Sequence, residues 1–457
     1  MAARFVNVDR ETPMLLPPDM RDWVAEDDLA RFVVDAVETC DLRLARVNEQ
    51  GSGHEQYPPG MMLGLLIYCY AHRLFSSREI ERATYSHVSV RYLCANLHPD
   101  HDTVATFRRK NGPLLEHCFL RVLELARELK AFGRLGTVSV DGTKLQARAS
   151  RNANRSATEL EEEMGRLQLE IRELLGEAEK ADENESGERE RLAPELRNKQ
   201  ARQAALKAAK EQLEERQAAH RRNRRRRDAL PTDPEEPSPP SCPPRGGAKA
   251  MEPALGTLKG ESQPMNLVDP ESRLMRDAHG RYLQAYNAQL VVDTGSSRMI
   301  LGARVTQAGN DRRALMSGWQ SLPERMRAEI SHVVADSGYD NADLIAQMER
   351  EHGVCVLCPP QSTGTPKLDQ TYRCSKVRRQ RQAQTEQMRQ RLREPENQAR
   401  YRRRSATVEP VIGVLKNVLG FKRFRLFGLA KSQIELTLLA TAYNLRHLAQ
   451  KMVRQTV

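Results

Sequence analysis

Residues 136–145 read GTVSVDGTKL, and this stretch decides how the rest of the chain is interpreted. Val138 and Val140 alternate with small polar residues, a period of two that predicts a β-strand with one buried face. Asp141 and Gly142 follow near the predicted end of this strand. An Asp-Gly pair is also common in turns, so this stretch alone leaves open both a turn aspartate and a functional carboxylate.

A second aspartate ends a similar apolar run. Residues 331–340 read SHVVADSGYD, in which a short predicted strand ends at Asp336. Between the two runs, residues 282–292 and 298–306 predict a β-hairpin with a loop of about five residues. Strands and helices then alternate along the chain, which predicts an α/β sheet with helices on both faces.

Helix signals fill the gaps between these strands. Asn310 is a candidate cap for a helix that runs to about residue 322, and Asn341 opens another that runs to about residue 352. Residues 354–357 form one more apolar run of the strand type. Further helices are predicted over 405–418 and 430–453, the last with a clear apolar stripe.

The segment YRRRSATVEPVIGVLK, residues 401–416, places Glu409 among basic and apolar residues. Mg²⁺ prefers carboxylate oxygens, and a few convergent Asp and Glu side chains can hold it. The strands that carry Asp141 and Asp336 can lie side by side in one sheet, and a helix that carries Glu409 can pack across them. We therefore predict one metal site from these three carboxylates, of the kind that cleaves phosphodiester bonds.

Other cofactor sites have little support in the sequence. The histidines show no H-E-x-x-H spacing, and no glycine-rich phosphate-binding loop is present, so we predict no nucleotide cofactor. Cys355 and Cys358 form a C-x-x-C pair, but only Cys374 lies nearby. Two buried thiols on a strand are therefore favoured over a zinc site.

The charge of the chain favours a polyanionic partner. Its 457 residues carry a formal net charge of +11, and 39% of them are hydrophobic, which is enough for a core. Nucleic acid is the commonest polyanion, although basic tails alone would give the same balance. Few aromatic residues interleave with the cations of 367–408, which favours phosphate contact over base stacking. These cations are Lys367, Arg373, Lys376, Arg378, Arg379, Arg381, Arg389, Arg391, Arg393, Arg400, Arg402, Arg403 and Arg404.

Three domains are predicted. Residues 1–131 form an all-helical N-terminal domain that begins with a helix over 15–47, and DNA binding and dimerisation are both open for it. Residues 132–150 and 266–457 form the α/β domain. Residues 151–265 interrupt it as an insertion.

The insertion has the pattern of a coiled-coil hairpin. Its apolar residues are spaced 4-3-4-3-4, and a polar turn leads to a second helix over 190–219, so we predict an antiparallel pair. A basic run over 220–228 and a proline-rich linker over 231–247 follow. The residues of the seam are Leu160, Met164, Leu167, Ile171, Leu174 and Ala178.

The sequence predicts a cytoplasmic protein without a membrane partner, associated with the nucleoid when bound to DNA. The most apolar early run, residues 61–70, is about half the length that a bilayer requires and is interpreted as a buried helix. The first residues, MAARFVNVDRETP, lack the apolar core of a signal peptide.

Several segments together resemble the DDE transposases of insertion sequences, in the IS5/IS1182-like branch with an IS4-type catalytic domain. The helical N-terminal stretch is similar to the domain that precedes the catalytic core in that family. The resemblance covers most of the chain outside the insertion and implies an RNase H-like catalytic core. The matching segments are VDGTKLQARAS (140–150), YNAQLVVD (286–293), VVADSGYDN (333–341), RSATVEPVIGVLK (404–416), GFKRF (420–424) and NLRHL (444–448).

The resemblance implies roles for particular residues. The catalytic and metal-binding triad of the family corresponds to Asp141, Asp336 and Glu409, with two Mg²⁺ ions for which Mn²⁺ can substitute. A transposase signature of Tyr, Arg, Glu and Lys corresponds to Tyr401, Arg404, Glu409 and Lys416, with four residues instead of three between Arg404 and Glu409.

Further expectations follow for residues outside that signature. Lys422 and Arg423 of the GFKRF segment join Tyr401, Arg404 and Lys416 as expected DNA contacts. Asp269 lies in another segment that resembles the family, and we expect it to support the fold or the site without binding metal.

The resemblance also implies a reaction and its partners. Water cuts double-stranded DNA at the element's end, and the freed 3′ hydroxyl then attacks target DNA, in a homodimer or a higher oligomer. A metal-dependent nuclease with the same core but no strand transfer is the first alternative. An inactive DNA-binding copy is the second.

Overall fold

The computed structural model describes residues 19–47, 55–183, 188–228, 264–277, 279–295, 297–361 and 375–456. The predicted linker over 231–247 lies outside the described residues, as do Lys367 and Arg373. The chain divides into two compact units. The first comprises Met1–Gly133, Val414–Phe421 and Ile434–Val457, and the second comprises Arg134–Gly413 and Lys422–Gln433.

The N-terminal region of the first unit is helical, as predicted. The predicted helix over 15–47 is wrong in length, because α1 covers only ten residues between two short 3₁₀ turns. Asp19, Asp28 and Asp41 each accept a backbone N–H and so begin a new element. The helices are α1 (Leu29–Glu38), α2 (Pro59–Ala71), α3 (Ser77–Ser86), α4 (Val88–Leu93), α5 (His101–Lys110) and α6 (Gly112–Glu128).

Helix α2 forms the centre of this unit. Every residue from Met62 to Ala71 is buried, which confirms the predicted buried helix. Tyr70 and Phe75 pack against Phe421, with ring centroids 6.3 and 5.1 Å away. Residues 434–457 also belong to this unit.

A mixed sheet organises the second unit. Its strands lie in the order β6-β5-β1-β7-β8. Strand β4 pairs with the first part of β5, on the same edge of β5 that pairs with β6 further along. Strands β6, β5 and β1 are antiparallel neighbours, whereas β1, β7 and β8 are parallel. The strands are β1 (Thr137–Gln146), β2 (Asn154–Arg155), β3 (Met265–Asn266), β4 (Arg273–Arg276), β5 (Tyr282–Asp293), β6 (Ile300–Thr306), β7 (His332–Ala335) and β8 (Cys355–Leu357).

The predicted β5–β6 hairpin is confirmed, and so is the short strand β7 that ends before Asp336. The prediction that Asp141 lies near the end of its strand is wrong. Strand β1 continues to Gln146 because its outer part pairs with β5, from Asp141 opposite Leu290 to Gln146 opposite Ala285. Asp141 and Gly142 are therefore central strand residues, and the turn interpretation is excluded.

The helices of this unit differ from the predictions at several ends. Asn310 caps no helix, since α9 begins at Leu315, whereas the helix opened by Asn341 and the last helix are confirmed. The predicted helix over 405–418 begins earlier, at Pro395, and changes to a π-helical turn at Val414–Val418. The helices are α9 (Leu315–Gln320), α10 (Glu324–Arg327), α11 (Ala342–His352), α12 (Ser375–Arg393), α13 (Pro395–Gly413) and α14 (Leu429–Thr456).

Two long helices, α7 (Ala157–Glu183) and α8 (Glu188–Asp228), form the arms of the insertion. Lys199 pairs with Glu170 and Lys210 with Glu161, so the arms run in opposite directions. Of the predicted seam, four residues are buried and Met164 packs beside them, whereas the side chain of Ala178 lies outside the described ones. The buried seam residues are Leu160, Leu167, Ile171 and Leu174, and residues of α8 and β3 share this apolar cluster with Leu160 and Leu167. Across the described part of the chain, no helix is both long and apolar enough to cross a bilayer.

Candidate active site

The sheet places two of the predicted carboxylates side by side. Strand β1 pairs in parallel with β7, with Val140 opposite Ala335. Asp141 and Asp336 are the next residues on these two strands, so they occupy neighbouring positions. Side chains at matched positions of adjacent strands point to the same face.

Asp336 is fixed by the turn that it begins. Its Oδ1 accepts the N–H of Gly338 at 2.9 Å, which caps the 3₁₀ turn Ser337–Tyr339. Its backbone carbonyl accepts the thiol of Cys358 at 3.0 Å, at the end of β8. The Asp336 carboxylate is therefore held at the edge of the sheet and remains partly exposed.

Arg404 links the carboxylates of Asp141 and Glu409. It lies on α13, and its Nη1 donates to Oδ2 of Asp141 at 3.2 Å while its Nη2 donates to Oε1 of Glu409 at 2.8 Å. Its side chain is only 14% exposed, whereas Glu409 is half exposed. The guanidinium of Arg404 therefore lies between Asp141 on the sheet and Glu409 on the helix, and it connects the two carboxylates.

The surroundings of Asp141 disfavour its charge. Burial raises the pKa of this carboxyl to about 6, and the neighbouring charges of Asp336 and Asp311 act in the same direction. Arg404 and the N–H of Gly142, which donates to Asp141 at 2.8 Å, lower the pKa but do not overcome burial. A cation at this position would favour the ionised carboxylate.

The chemistry of these residues fits a divalent cation. Asp141, Asp336 and Glu409 carry carboxylate oxygens of the hard type that Mg²⁺ prefers, and Arg404 provides a positive charge between two of them. Within the described ranges, no group of three or more His, Cys, Asp or Glu side chains is close enough together to hold a metal ion. In this structure Arg404 therefore bridges Asp141 and Glu409. Metal binding would require these carboxylates and that of Asp336 to move closer together.

The remaining predicted site residues differ in their placement. Tyr401 lies one turn before Arg404 on α13 and hydrogen-bonds it, which adds to the same cluster. Lys416 lies in the π-helical turn, which belongs to the first unit. Lys422 and Arg423 are exposed in the second unit, where Arg423 donates to the carbonyl of Ala147 just after β1.

One acidic residue near the site was missed by sequence reasoning. Asp311 follows β6 in the polar run QAGND and approaches Gly142 from the side. It accepts hydrogen bonds from Asn287 and Gln289, both at 2.7 Å, and pairs with Lys144 at 3.6 Å. A carboxylate just beyond a strand end was the available signal, but Asn310 was interpreted as a helix cap instead.

Other candidate residues have structural surroundings. Cys355 is partly buried on β8 and Cys358 is buried just after it, which is consistent with the favoured interpretation of inert thiols. Asp269 is buried and accepts the hydroxyl of Tyr286 at 2.7 Å. This contact supports the fold of β5.

The arginines of α12 and α13 outside the Arg404 cluster include paired and exposed side chains. Arg381 pairs with Asp340 at 2.6 Å, and Arg391 pairs with Glu349, so both hold α12 against α11 and the turn before it. Another group is exposed and able to meet phosphates, and it comprises Arg389, Arg393, Arg402 and Arg403.

Two regions of the chain match known protein families. Residues 259–445 match the family described as "Transposase DDE domain", and residues 18–110 match "Transposase domain (DUF772)". The first segment contains Asp336 and Glu409, while Asp141 lies before it on a strand of the same sheet. No curated protein and no solved structure matches the chain. Two separate regions of the chain thus match transposase families, and together they indicate an insertion-sequence transposase of the DDE type.

Proposed function

We propose that this transposase cuts and joins DNA through Asp141, Asp336 and Glu409, in an RNase H-like core of the IS5/IS1182-like type. The observation that carries the proposal is the pairing of β1 with β7, which brings two aspartates from distant segments to neighbouring positions. Glu409 reaches the same cluster from α13 through Arg404. The mixed sheet and the helices on its faces support the RNase H-like core.

Two Mg²⁺ ions, or Mn²⁺ in their place, would activate water and stabilise the leaving 3′ oxygen when held by these carboxylates. The residues themselves supply the ligand oxygens, fixed on two strands and one helix. The partly exposed Asp336 and Glu409 leave an open side through which a phosphodiester can approach. Arg404 would then exchange its carboxylate partners for a phosphate oxygen of the substrate.

Double-stranded DNA would bind along the exposed arginines of α12 and α13 and the exposed Lys422 and Arg423. These cations carry no base information and would neutralise phosphates, which gives salt-dependent binding. The N-terminal domain, the catalytic domain and the insertion keep their sequence-based boundaries in this proposal. The antiparallel arms α7 and α8 would form a coiled coil that pairs two copies on the two DNA ends.

The test uses the full-length protein, Mg²⁺ and a labelled duplex that carries the DNA flanking its reading frame. We expect the wild type to produce defined 3′ ends and the variant Asp141→Asn to lose cleavage by more than about 100-fold, beyond the usual cost of an outer-shell change. The variant Asp343→Asn makes the same change at an exposed carboxylate on α11 and serves as the control. DNA binding should be retained in both variants.

Two outcomes would contradict this proposal. Undiminished cleavage by Asp141→Asn would exclude the triad, and absence of cleavage by the wild type would favour an inactive DNA-binding copy. A duplex with a pre-formed 3′ hydroxyl separates the remaining alternative, since a nuclease without strand transfer would cut DNA but leave this duplex unjoined.

A further inference from the structure

Asp311 collects hydrogen-bond donors from β5 beside the proposed metal site. Its Oδ1 accepts both Nδ2 of Asn287 and Nε2 of Gln289 at 2.7 Å, and its Oδ2 lies 3.6 Å from Nζ of Lys144. The carboxylate is 17% exposed, so these bonds are shielded from water. Charge-assisted bonds of this kind are about twice as strong as bonds between neutral groups.

The cluster lies directly against Gly142, the residue after Asp141. A Cβ at Gly142 would be 2.4 Å from Oδ1 of Asp311 and 2.5 Å from Nε2 of Gln289, closer than real contacts allow. Successive residues of a strand face opposite sides of the sheet. Asp311 and Gln289 therefore press on β1 from the face opposite to the carboxylate of Asp141, and glycine at 142 permits this approach.

The same cluster reaches the turn that Asp336 begins. Tyr339 closes this turn, is buried, and donates its hydroxyl to Oε1 of Gln289. Burial, followed by the nearby charges of Asp311, Asp141 and Asp336, raises the pKa of Tyr339 well above its ordinary value, so the hydroxyl stays a donor. One amide, that of Gln289, thus joins Asp311 on one side to the turn of Asp336 on the other.

We propose that Asp311 is a positioning residue, which sets the separation of Asp141 and Asp336 through Gln289 and Tyr339. The inference rests on the proposed function and assigns to it a residue that binds neither metal nor DNA. Two like charges on neighbouring strands repel each other, and the described pairing of β1 with β7 ends at Val140 and Ala335. The bridge from Asp311 to Tyr339 restrains the turn after β7, where this pairing has ended.

The decisive variant is Tyr339→Phe, which removes only the hydroxyl that joins the turn to Gln289. Asp311→Asn is the second variant, because it keeps the shape of the side chain and removes its charge. Tyr286→Phe is the matched control, since it deletes a buried hydroxyl from the same sheet that donates to Asp269. Binding of Ca²⁺ to each full-length protein is measured by titration calorimetry, together with kcat and KM for Mg²⁺-dependent cleavage.

We expect Tyr339→Phe and Asp311→Asn to weaken Ca²⁺ binding by about 10-fold, the usual cost of losing a group that orients a ligand. The value of kcat should fall with it while KM for DNA stays unchanged, since neither residue is expected to contact DNA. Tyr286→Phe should lower thermal stability but leave the Ca²⁺ affinity and kcat at their wild-type values.

The positioning role is overturned if Tyr339→Phe and Asp311→Asn behave as Tyr286→Phe does, with lower thermal stability and wild-type Ca²⁺ affinity. This result would leave the proposed function standing. A wild type that binds no Ca²⁺ and cleaves no DNA overturns the metal site itself, and the positioning role with it.

Discussion

Arg108 and Arg404 each lie beside a tyrosine and at least one acidic residue, but they differ in their exposure to solvent. Arg108 donates to the hydroxyl of Tyr70 at 2.9 Å, and that hydroxyl donates to Glu435 at 2.8 Å. All three side chains are almost completely buried, with 3% exposure at Arg108 and none at Tyr70 or Glu435. A charged network closed in this way has no route for exchange with solvent ions.

Arg404 has a tyrosine and two acids as neighbours, but its network is open on one side. Glu409 is half exposed, and Asp141 keeps a raised pKa despite its ion pair. Residue types alone therefore do not separate a structural ion network from a functional one. The half-exposed Glu409 and the raised pKa of Asp141 distinguish the Arg404 network from the Arg108 network. Variants in each network test this distinction.

The largest effect is expected from Arg108→Leu. It removes the cation from this buried network, and removing one charged partner from a buried arrangement costs about 3–5 kcal/mol of unfolding free energy. Urea unfolding of the full-length chain measures the change, with the exposed neighbour variant Arg109→Ala as the control. A loss below about 1 kcal/mol would show that this network is not closed in solution.

Arg404→Ala should behave differently, because a metal ion can replace the lost charge. We expect the metal-free protein to lose about 2 kcal/mol of unfolding free energy, in the range for hydrogen bonds to charged groups. Saturating Ca²⁺ should remove most of this difference, since the ion replaces the charge of Arg404 and therefore stabilises the folded variant more than the folded wild type. The same addition should leave the deficit of Arg108→Leu unchanged.

The exposed neighbour variant Arg403→Ala controls for general loss of positive charge on α13. A deficit in Arg404→Ala that persists in Ca²⁺ would mean that Arg404 is as structural as Arg108.

The pH dependence of stability sharpens the same contrast. Because burial raises the pKa of Asp141 from 3.8 to about 6, the folded state binds this proton more tightly than the unfolded chain does. The resulting stabilisation is complete below about pH 4 and is lost as pH rises through 6. Without metal, the stability of the wild type relative to Asp141→Asn should fall by about 2–3 kcal/mol between pH 4 and 7.

Unfolding in urea at several pH values measures this fall. Arg404→Ala should move the loss to higher pH, since Arg404 lowers the pKa of Asp141. A difference between wild type and Asp141→Asn that stays constant with pH would contradict the raised pKa.

The strands were the most predictable part of the fold. Alternation around Val138 and Val140 identified β1, and the apolar run before Asp336 identified β7, because burial of one or both strand faces leaves a direct pattern. The length of β1 was not predictable, since Asp141–Gln146 is held by pairing with β5, more than a hundred residues away. Propensity carries no information about such a partner.

The candidate site also contains residues that the sequence predicted and residues that it did not. Asp141, Asp336 and Glu409 were predicted from their positions and from family resemblance, and two of them prove to be neighbours across the sheet. Asp311 was not predicted, because nothing in QAGND indicates that Gly142 leaves room for it. The closed network of Arg108 was equally hidden, since Glu435 lies in a segment that sequence reasoning assigned to the other domain.

The smallest expected effect concerns the two tyrosines. Tyr401→Phe removes a partly exposed hydroxyl beside Arg404, and water can replace its bond, so we expect a loss of only about 0.5 kcal/mol. Tyr70→Phe removes the central hydroxyl of the buried network and takes one hydrogen bond each from Arg108 and Glu435, which should cost about 1–3 kcal/mol. The pair is compared by urea unfolding under the same conditions. Equal losses would mean that water does not reach Tyr401, and the open character assigned to the Arg404 network would then have to rest on Glu409 alone.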